Sequence, residues 1–454
     1  MHIFNILESE YKQNLKADLL KKNLYGEVFT PFSLINQMLD SMDECIFKNP
    51  NHTFLDIGAG SGYFSMCLFW KLNKLLEIEI PDKQKRGRHI IEKMLFMIDI
   101  QRENIDKLKI LFGNKANIIF GNFLEYDKLE FDFIIGNPPY NSEQLKKVPT
   151  NNILKKINDG HTIWPDFVRQ SLKLLKNKGE IMVIIPAIWM KPDKAKMYDF
   201  ITKYKIKKLR CFSNTETNKI FNKNAQTPTS VIYLKKIPND FKVLIYDKDM
   251  KTYIDYVYYK NEPLPVFGAS ILSKIKTTNN IKNIIKTNCP PKKMNFSPVQ
   301  SIQFPYKNIK TCKLNKVNPE LIYEYSDKQL DYSDTKKIIL AHKMYGFPFF
   351  DKEGKYGISK RDNYLILSDN DKELSNYKDF FSTNTALYLF ECTRYRMKYL
   401  EKYIFELLPD INKLDNFPSI INDESIAEYY NFNDMEIEAI NNLHKKNYSF
   451  KFCE

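Results

Sequence analysis

The sequence predicts an α/β protein in which a mostly parallel, doubly wound sheet over residues 1–237 is followed by a second domain over residues 238–454. Apolar runs of strand length alternate with helical stretches until about residue 235. A glycine-rich turn follows the first run, and the alternation weakens after Lys236. Because parallel strands need long crossover connections, this alternation favours a sheet with helices on both faces.

The elements of the first domain are predicted in chain order. A polar helix is expected over residues 1–20, and a sharp loop at Gly26–Pro31 precedes an amphipathic helix over Phe32–Met42. The last two of seven predicted strands have no evident helix between them, so we expect them to be antiparallel. The seven strands are Phe54–Ile57, Leu95–Asp99, Asn117–Phe120, Phe131–Gly136, Glu180–Pro186, Lys207–Phe212 and Ser230–Leu234.

The second domain shows fewer regular patterns, and its predicted class is α+β. A hairpin is predicted where Phe349-Phe350 and Tyr356–Ile358 flank the turn sequence Asp351–Lys355. A long amphipathic helix is predicted over Phe390–Leu408.

The charge distribution indicates a polyanionic partner. The chain has 454 residues and a formal net charge of +14. Residues 241–402 carry about +10 and residues 403–454 about −6, so the basic charge is concentrated. Nucleic acid is therefore the favoured partner.

The cysteine pattern and the hydropathy indicate the cellular compartment of the protein. The seven cysteines are scattered, odd in number and lack a Cys-x-x-Cys pair, which argues against a disulfide framework and a zinc site. No apolar run approaches the length of a membrane span, and the first residues lack the layout of a signal peptide. We expect a cytoplasmic protein without a metal centre.

The turn from Asp56 to Gly62 follows the first predicted strand. Gly58, Gly60 and Gly62 leave room for a ligand to lie against the backbone at the start of the next helix. The G-x-G-x-G spacing differs from the dinucleotide fingerprint, and Asp56 is suited to attracting a cationic group of the ligand.

Two later strand ends offer further ligand contacts. Asp99 closes the second predicted strand, where a carboxylate can accept both hydroxyls of a ribose. Asn122 follows the third strand and is a candidate to bond an adenine edge, with Phe123 packing on the ring. Because Gly121-Asn122 is also a good turn sequence, a purely structural role for Asn122 stays open.

The tetrapeptide Asn137-Pro138-Pro139-Tyr140 follows the fourth predicted strand, where open α/β sheets place ligand-binding loops. The Asn137 side-chain oxygen and the Pro138 carbonyl can each accept one N–H of an aromatic amine, which makes the nitrogen more nucleophilic. The two prolines, Pro138 and Pro139, keep this carbonyl aimed, and Tyr140 offers a flat face for a base. The alternative is a rigid turn after a strand.

With these motifs in this order, the chain resembles the gamma-class N6-adenine DNA methyltransferases of type II restriction-modification systems over roughly its first 235 residues. The resemblance implies a Rossmann-like seven-stranded methyltransferase sheet and S-adenosyl-L-methionine as the cofactor. It also implies direct in-line methyl transfer to N6 of an adenine flipped out of double-stranded DNA. Many relatives carry Asp where this chain has Asn122, which weakens that assignment.

The resemblance assigns further roles. Phe29, Thr30 and Pro31 match the cofactor motif of the family, and Phe221 matches the aromatic residue that packs against the flipped base. Region 238–454 would be the target-recognition domain, and a separately encoded cognate restriction endonuclease is a candidate partner. The candidate DNA contacts in this region are Lys343, Tyr345, Lys355, Lys360, Arg361, Arg394 and Arg396.

Three alternatives stay open. An RNA adenine methyltransferase would use the same chemistry, and protein glutamine methyltransferases use the same tetrapeptide on an amide nitrogen. The long second half of the chain argues against the glutamine enzymes. A catalytically inactive DNA-binding or scaffold relative would keep the fold, but intact Asn137 and Tyr140 argue against it. A cytosine-C5 mechanism needs a cysteine after proline, and no Pro-Cys dipeptide occurs.

Overall fold

The structure is a computed structural model that describes residues 30–141, 162–192, 195–221, 227–290, 293–315, 318–341, 348–361, 363–395 and 400–443. The chain divides into two compact units. Unit 1 comprises Met1–Trp189 with Asp193–Leu244, and unit 2 comprises Met190–Pro192 with Ile245–Glu454. The predicted helix over residues 1–20 lies outside the described residues.

Unit 1 is built on the predicted sheet. Its strands are β1 (Phe54–Ile57), β2 (Leu95–Asp99), β3 (Asn117–Phe120), β4 (Phe131–Gly136), β5 (Leu175–Pro186), β6 (Tyr204–Phe212) and β7 (Thr229–Pro238). The spatial order is β3-β2-β1-β4-β5-β7-β6. The strands β1 to β5 are parallel, and β7 is antiparallel to both β5 and β6. The seven-stranded, doubly wound prediction and the antiparallel last pair are therefore confirmed.

The sheet extends further than predicted. The strand β8 (Lys242–Asp247) continues the order beside β6, and the next strand along the chain is β9 (Thr252–Val257). The division between the two units falls within β8, after Leu244, whereas the sequence placed the boundary after residue 237.

The helices of unit 1 alternate with its strands. One prediction is wrong, because a helix does connect β6 to β7. This helix has only seven residues, NTETNKI, and they show no apolar face, but Ser213 and Glu216 form a capping box at its start. The helices are α1 (Phe32–Asp40), α2 (Cys45–Lys48), α3 (Tyr63–Leu75), α4 (Lys83–His89, continued by a π turn over Ile90–Met94), α5 (Arg102–Phe112), α6 (Trp164–Leu174), α7 (Met197–Ile201) and α8 (Asn214–Ile220), with 3₁₀ turns at Phe123–Glu125 and Ala187–Met190.

Burial on both faces of the central strands explains why this sheet forms. Every residue of β1 is buried, and so are the last four residues of β4. The helices α1 and α3 contribute apolar residues to one large core cluster with these strands. Because full burial of one large apolar side chain stabilises a fold by about 1.5–3 kcal/mol, such strands are held in the interior with their ends at the surface.

Unit 2 contains two four-stranded sheets and several helices, which confirms the predicted α+β class. The sheet orders are β10-β17-β14-β15 and β11-β13-β12-β16. Its strands are β10 (Ile285–Lys286), β11 (Phe296–Ser297), β12 (Tyr306–Asn315), β13 (Asn318–Ser326), β14 (Lys337–Ala341), β15 (Pro348–Asp351), β16 (Gly357–Ile358) and β17 (Asn363–Leu367). Its helices are α9 (Ala269–Ile275), α10 (Asp371–Phe381), α11 (Asn384–Cys392), α12 (Asp423–Tyr429) and α13 (Asp434–Leu443), with 3₁₀ turns at Lys402–Glu406 and Ile411–Lys413.

The predicted hairpin around residues 351–355 is only half correct. The turn forms, but β15 pairs with β14 in one sheet while β16 pairs with β12 in the other. The cause is the buried Asp351 carboxylate, which accepts the backbone N–H groups of Lys355 at 2.9 Å and Tyr356 at 3.1 Å. These bonds curl the turn away from a hairpin.

A buried ion pair fixes the same turn. Lys337 Nζ donates to Asp351 Oδ2 at 2.6 Å and to the carbonyl oxygens of Tyr332 at 2.8 Å and Thr335 at 2.9 Å. Both charged side chains are almost completely buried. Burial lowers the pKa of Lys337, and the neighbouring Asp351 opposes that shift.

The predicted long helix over residues 390–408 is wrong. The helix α11 starts earlier, at Asn384, and ends at Cys392. The chain leaves the helix at Thr393, and Tyr395 is anchored by its hydroxyl, which donates to the carbonyl of Leu264 at 2.5 Å. This tertiary bond outweighs the helical pattern of the sequence.

Candidate active site

The candidate active site lies at the carboxyl ends of β1, β2 and β4, which are neighbours in the sheet of unit 1. Gly136 at the end of β4 lies against Ile57 at the end of β1. A Cβ atom on Gly136 would lie 2.8 Å from the carbonyl oxygen of Ile57, and its φ of +147° disfavours other residues. The loop after β4 and the turn after β1 are therefore in direct backbone contact.

The three turn glycines differ in their surroundings. A Cβ atom on Gly58 would meet nothing within 4 Å, and one on Gly60 would meet only the carbonyl oxygen of Gly58, at 3.9 Å. A Cβ atom on Gly62 would lie 2.9 Å from Cδ2 of buried Leu108. Gly58 and Gly60 thus border open space that a ligand can fill, whereas Gly62 is required by packing.

The carboxylate of Asp99 braces this turn. Its Oδ2 accepts the backbone N–H of Gly60 at 2.8 Å, and its Oδ1 accepts the N–H of Gln101 at 2.8 Å and Nδ2 of Asn104 at 3.3 Å. Asp99 is buried, with 7% of its surface exposed. Because Oδ2 accepts only one of these bonds and an oxygen offers two lone pairs, Asp99 can also accept a ligand hydroxyl through Oδ2.

Asp56 lies inside the protein rather than at the surface of the turn. It is 1% exposed, and the hydroxyl of buried Ser65 donates to its Oδ2 at 2.6 Å. Burial raises the pKa of Asp56 to about 7, against the lowering effect of the Ser65 hydrogen bonds. Its charge therefore changes near neutral pH. The sequence did not identify Ser65 as its partner.

The two residues predicted to hold an adenine ring have local partners. Asn122 Oδ1 accepts the N–H of Leu124 at 3.1 Å, and Nδ2 donates to Glu125 at 2.8 Å, so its amide caps the 3₁₀ turn. Phe123 is buried and stacks on Phe167 at a centroid distance of 5.3 Å.

The sequence interpretation missed an apolar side chain at this edge. Ile100 directly follows Asp99 and is 65% exposed. An apolar residue after a strand-end carboxylate is the signal that would have identified it. Ile100 can cover one face of an aromatic ring whose ribose is held by Asp99.

Asn137 is held with its oxygen free. Its Nδ2 donates to Thr30 Oγ1 at 3.1 Å, and Thr30 is itself buried. The Oδ1 atom is buried and has no hydrogen-bond partner among the described residues. Because a buried acceptor without a partner costs free energy, Asn137 Oδ1 is the atom of this site that most requires an external N–H.

The rest of the tetrapeptide is also fixed. Pro138 is buried and Pro139 is exposed. The carbonyl of Tyr140 accepts the N–H of Ile163 at 3.0 Å, which anchors the loop to the start of α6. The Tyr140 residue is half-buried, but its hydroxyl is fully buried without a partner among the described residues. Burial raises the pKa of Tyr140, so the phenol stays neutral.

Not all of the remaining predicted site residues of unit 1 are exposed at this edge of the sheet. Pro31 precedes α1 and is half-buried. Phe221 is 2% exposed and belongs to the large core cluster, so its ring does not reach the surface in this conformation. Phe29 lies outside the described residues.

The predicted DNA contacts of unit 2 have mixed surroundings. Lys355 and Arg394 pair with Glu353 and Glu391, at 2.5 Å and 2.8 Å. Arg361 is exposed, and Lys360 is half-buried. The three that lie outside the described residues are Lys343, Tyr345 and Arg396.

Three further findings concern the described residues. No cluster of three metal-ligating side chains occurs among them, and no helix among them is long and apolar enough to cross a membrane. The described cysteines are free thiols.

Comparison with known proteins connects this site to a family. Residues 12–221 match the model of the Eco57I restriction-modification methylase family. The chain is 28% identical over 135 residues to a tRNA1(Val) (adenine(37)-N6)-methyltransferase of Parabacteroides distasonis, covering 29% of this chain and 51% of that protein. It is 24% identical over 189 residues to the type II methyltransferase M.BstVI of Geobacillus stearothermophilus, covering 36% of this chain and 33% of that protein.

A solved structure also resembles the chain. The ATP-dependent type ISP restriction-modification enzyme LlaBIII, solved bound to DNA, aligns with 90% of this chain and 42% of that one, at 11% identity and a TM-score of 0.47. The chain spans a third to a half of the length of the two curated relatives.

Proposed function

We propose that this chain methylates N6 of adenine at a specific sequence in double-stranded DNA, because residues 12–221 match the model of the Eco57I restriction-modification methylase family. The methyl donor in this proposal is S-adenosyl-L-methionine, whose sulfonium supplies an electrophilic methyl group. The observation that carries the proposal is the buried Oδ1 of Asn137, which has no hydrogen-bond partner within the part of the chain that the structure describes.

The residues at this edge fit the donor. The open space beside Gly58 and Gly60 accommodates a ligand along the backbone, and Asp99 presents a carboxylate to a ribose. Exposed Ile100 suits the face of an adenine ring. Asp56, with a pKa of about 7, adds negative charge behind the turn as the pH rises. We also propose that Pro31, Gly62, Asn122 and Phe123 support this site, and that Phe29 contributes to donor binding as the resemblance implies.

The acceptor amine is activated by the loop after β4. Asn137 Oδ1 and the Pro138 carbonyl each accept one N–H of the adenine amino group, which draws the nitrogen lone pair out of conjugation with the ring. Pro139 keeps the backbone rigid, and the Tyr140 face stacks on the base. A base inside a duplex cannot reach this loop, so the target adenine must rotate out of the helix.

The proposed partner is double-stranded DNA, with unit 2 as the recognition unit. The concentrated basic charge of residues 241–402 supports this assignment. A cognate restriction endonuclease is a further proposed partner, since a methylase of this kind protects host DNA from it. Phe221 is proposed as a second aromatic wall only if its ring leaves the core when DNA binds.

The test measures transfer of a tritiated methyl group to three acceptors: duplex DNA from a methylation-deficient host, total tRNA, and protein. We expect label in DNA as N6-methyladenine. Asn137→Ala should lower the rate by about 10²- to 10³-fold, as removal of one preorganised polar group does in other enzymes. Asn117→Ala, which removes a half-buried amide in β3 outside the site, is the matched control.

Two results would contradict the proposal. Label that enters tRNA but not DNA would make the chain an RNA methyltransferase, which the similarity to the Parabacteroides distasonis protein makes the second candidate. Equal, background labelling by wild type and Asn137→Ala would make the chain a non-catalytic relative.

A further inference from the structure

One segment of unit 2 has an unusual charge composition. Residues 263–319 contain ten lysines and no aspartate or glutamate. Some of these lysines pair with acidic residues elsewhere in the chain, as Lys274 does with Glu436 and Lys310 with Glu324. Lys293 is exposed and Lys307 is half-buried. A stretch of this length without one acidic residue favours contact with a polyanion.

This segment carries a projecting loop between β11 and β12, which we call the tip loop (residues 298–305). Ile302 is fully exposed at 102% of its reference area, and Val299 is 69% exposed. The neighbouring Gln303 is exposed as well. A large aliphatic side chain that touches nothing in the free protein gains free energy only when a partner covers it.

The tip loop is held in one shape. The N–H of Phe304 donates to the carbonyl of Ser301 at 3.0 Å and lies 3.2 Å from Ser301 Oγ. Gln300 Nε2 donates to the carbonyl of Pro305 at 3.4 Å. Because Pro298 and Pro305 bracket these bonds and restrict the backbone, little ordering entropy remains to be lost on binding.

We propose that the tip loop enters a groove of duplex DNA, with Ile302 as an apolar wedge against a base step and Gln303 at a base edge. Aliphatic wedges unstack base steps, and a glutamine amide matches the edge of adenine. The segment that carries the tip loop is rich in lysine and contains no acidic residue of its own, which favours a nucleic acid over an apolar protein surface or a second copy of the chain. The choice of duplex DNA over RNA rests on the proposed function.

The first experiment observes the tip loop directly and does not depend on methyl transfer. Ile302→Trp in the full chain places a fluorescent ring at the tip, and sheared duplex DNA from a methylation-deficient host is added. We expect the added emission to fall about twofold or more as the indole stacks on bases. Ile420→Trp is the matched control, because Ile420 also lies in unit 2 and is 74% exposed. Its added emission should not change when DNA binds.

The second experiment measures methyl transfer to a DNA duplex that carries the unmethylated target sequence. Ile302→Ala should lower kcat/KM about tenfold while Ile420→Ala leaves it unchanged. Unchanged emission of Ile302→Trp while anisotropy shows bound DNA would overturn the inference, as would failure of the chain to bind duplex DNA. A self-association that Ile302→Ala abolishes without DNA would assign the tip to a second copy. If DNA quenches the tip but no variant methylates it, the proposed function fails and the tip contact stands.

Discussion

The side-chain amide of Asn137 is fixed by Thr30, a residue 107 positions earlier in the chain, through a hydrogen bond of 3.1 Å from Nδ2 to Oγ1. This bond occupies the nitrogen of the amide, while its oxygen has no hydrogen-bond partner among the described residues. We propose that Thr30 is a positioning residue that acts through Asn137.

Replacement of the Thr30 hydroxyl tests this relationship. Thr30→Val keeps the shape of the side chain but removes the hydrogen-bond partner, so the Asn137 amide is free to rotate. We expect kcat for methyl transfer to fall about tenfold, the effect of losing one net hydrogen bond of roughly 1–1.5 kcal/mol. Thr30→Ser should restore most of the rate. An equal loss in Val and Ser variants, or a change only in KM for the methyl donor, would show that Thr30 serves packing or donor binding.

The two kinds of turn glycine should separate under substitution. Gly58→Ala adds a methyl group into open space, so we expect at least tenfold weaker binding of the methyl donor with a small loss of stability, about 1 kcal/mol for the left-handed backbone. Gly62→Ala forces buried Leu108 to move and should destabilise unit 1 by about 1–3 kcal/mol beyond that. Calorimetric titration and thermal unfolding of both variants check this. Equal effects of the two variants on affinity and stability would refute the distinction.

Asp56 should make stability depend on pH. Its pKa is about 7 in the folded chain and near the ordinary 3.8 when unfolded, so the folded state binds the proton more tightly. The resulting stabilisation is complete below pH 3.8, is lost as the pH rises to about 7, and stays lost above it. An asparagine at position 56 cannot titrate. The unfolding free energy of Asp56→Asn minus that of wild type should therefore rise by about 1.4 kcal/mol per pH unit between pH 4 and 7.

Measurements at several pH values serve as the control for this prediction. Urea unfolding at pH 5, 6, 7 and 8 should show the difference between Asp56→Asn and wild type levelling off above pH 7. A difference that is constant over the whole range would mean that Asp56 keeps an ordinary pKa.

The buried pair Lys337 and Asp351 should be sensitive to the loss of one partner. Asp351→Leu or Lys337→Met leaves an uncompensated buried charge and should destabilise unit 2 by about 3–5 kcal/mol. The double variant Lys337→Met with Asp351→Leu should recover part of this loss, limited by the bonds that Asp351 makes to the backbone of the turn. Chemical unfolding gives the four free energies, and additive losses would contradict a direct pair.

The sequence predicts the sheet of unit 1 well because its strands are defined by local features. Phe131–Gly136 is a short apolar run with a turn after it, and the structure gives the same bounds for β4. The tetrapeptide that starts at Asn137 lies at a strand end for the same reason. The strand β5 begins at Leu175 rather than Glu180 because Leu175 pairs with Phe131, with an irregularity in register over the polar residues before Glu180.

Tertiary contacts account for the features that the sequence does not predict. The pairing of Asp56 with Ser65 and of Asn137 with Thr30 depends on how separate elements pack, which no local pattern records. The strands β15 and β16 join different sheets because the Asp351 carboxylate, paired with Lys337, bonds the backbone of the turn, and α11 ends early because Tyr395 bonds to distant Leu264. In each case a long-range bond outweighs a local preference.

The approach of Gly136 to Ile57 has a consequence for how such a site can diverge. Position 136 tolerates no side chain, so the spacing between the loop proposed to activate the amine and the turn proposed to lie beside the donor is set by the close contact of Gly136 with Ile57. Substitutions elsewhere can exchange one acceptor molecule for another without altering that spacing. The separation of the two reactants is thus inherited with the scaffold, while their identity is free to change.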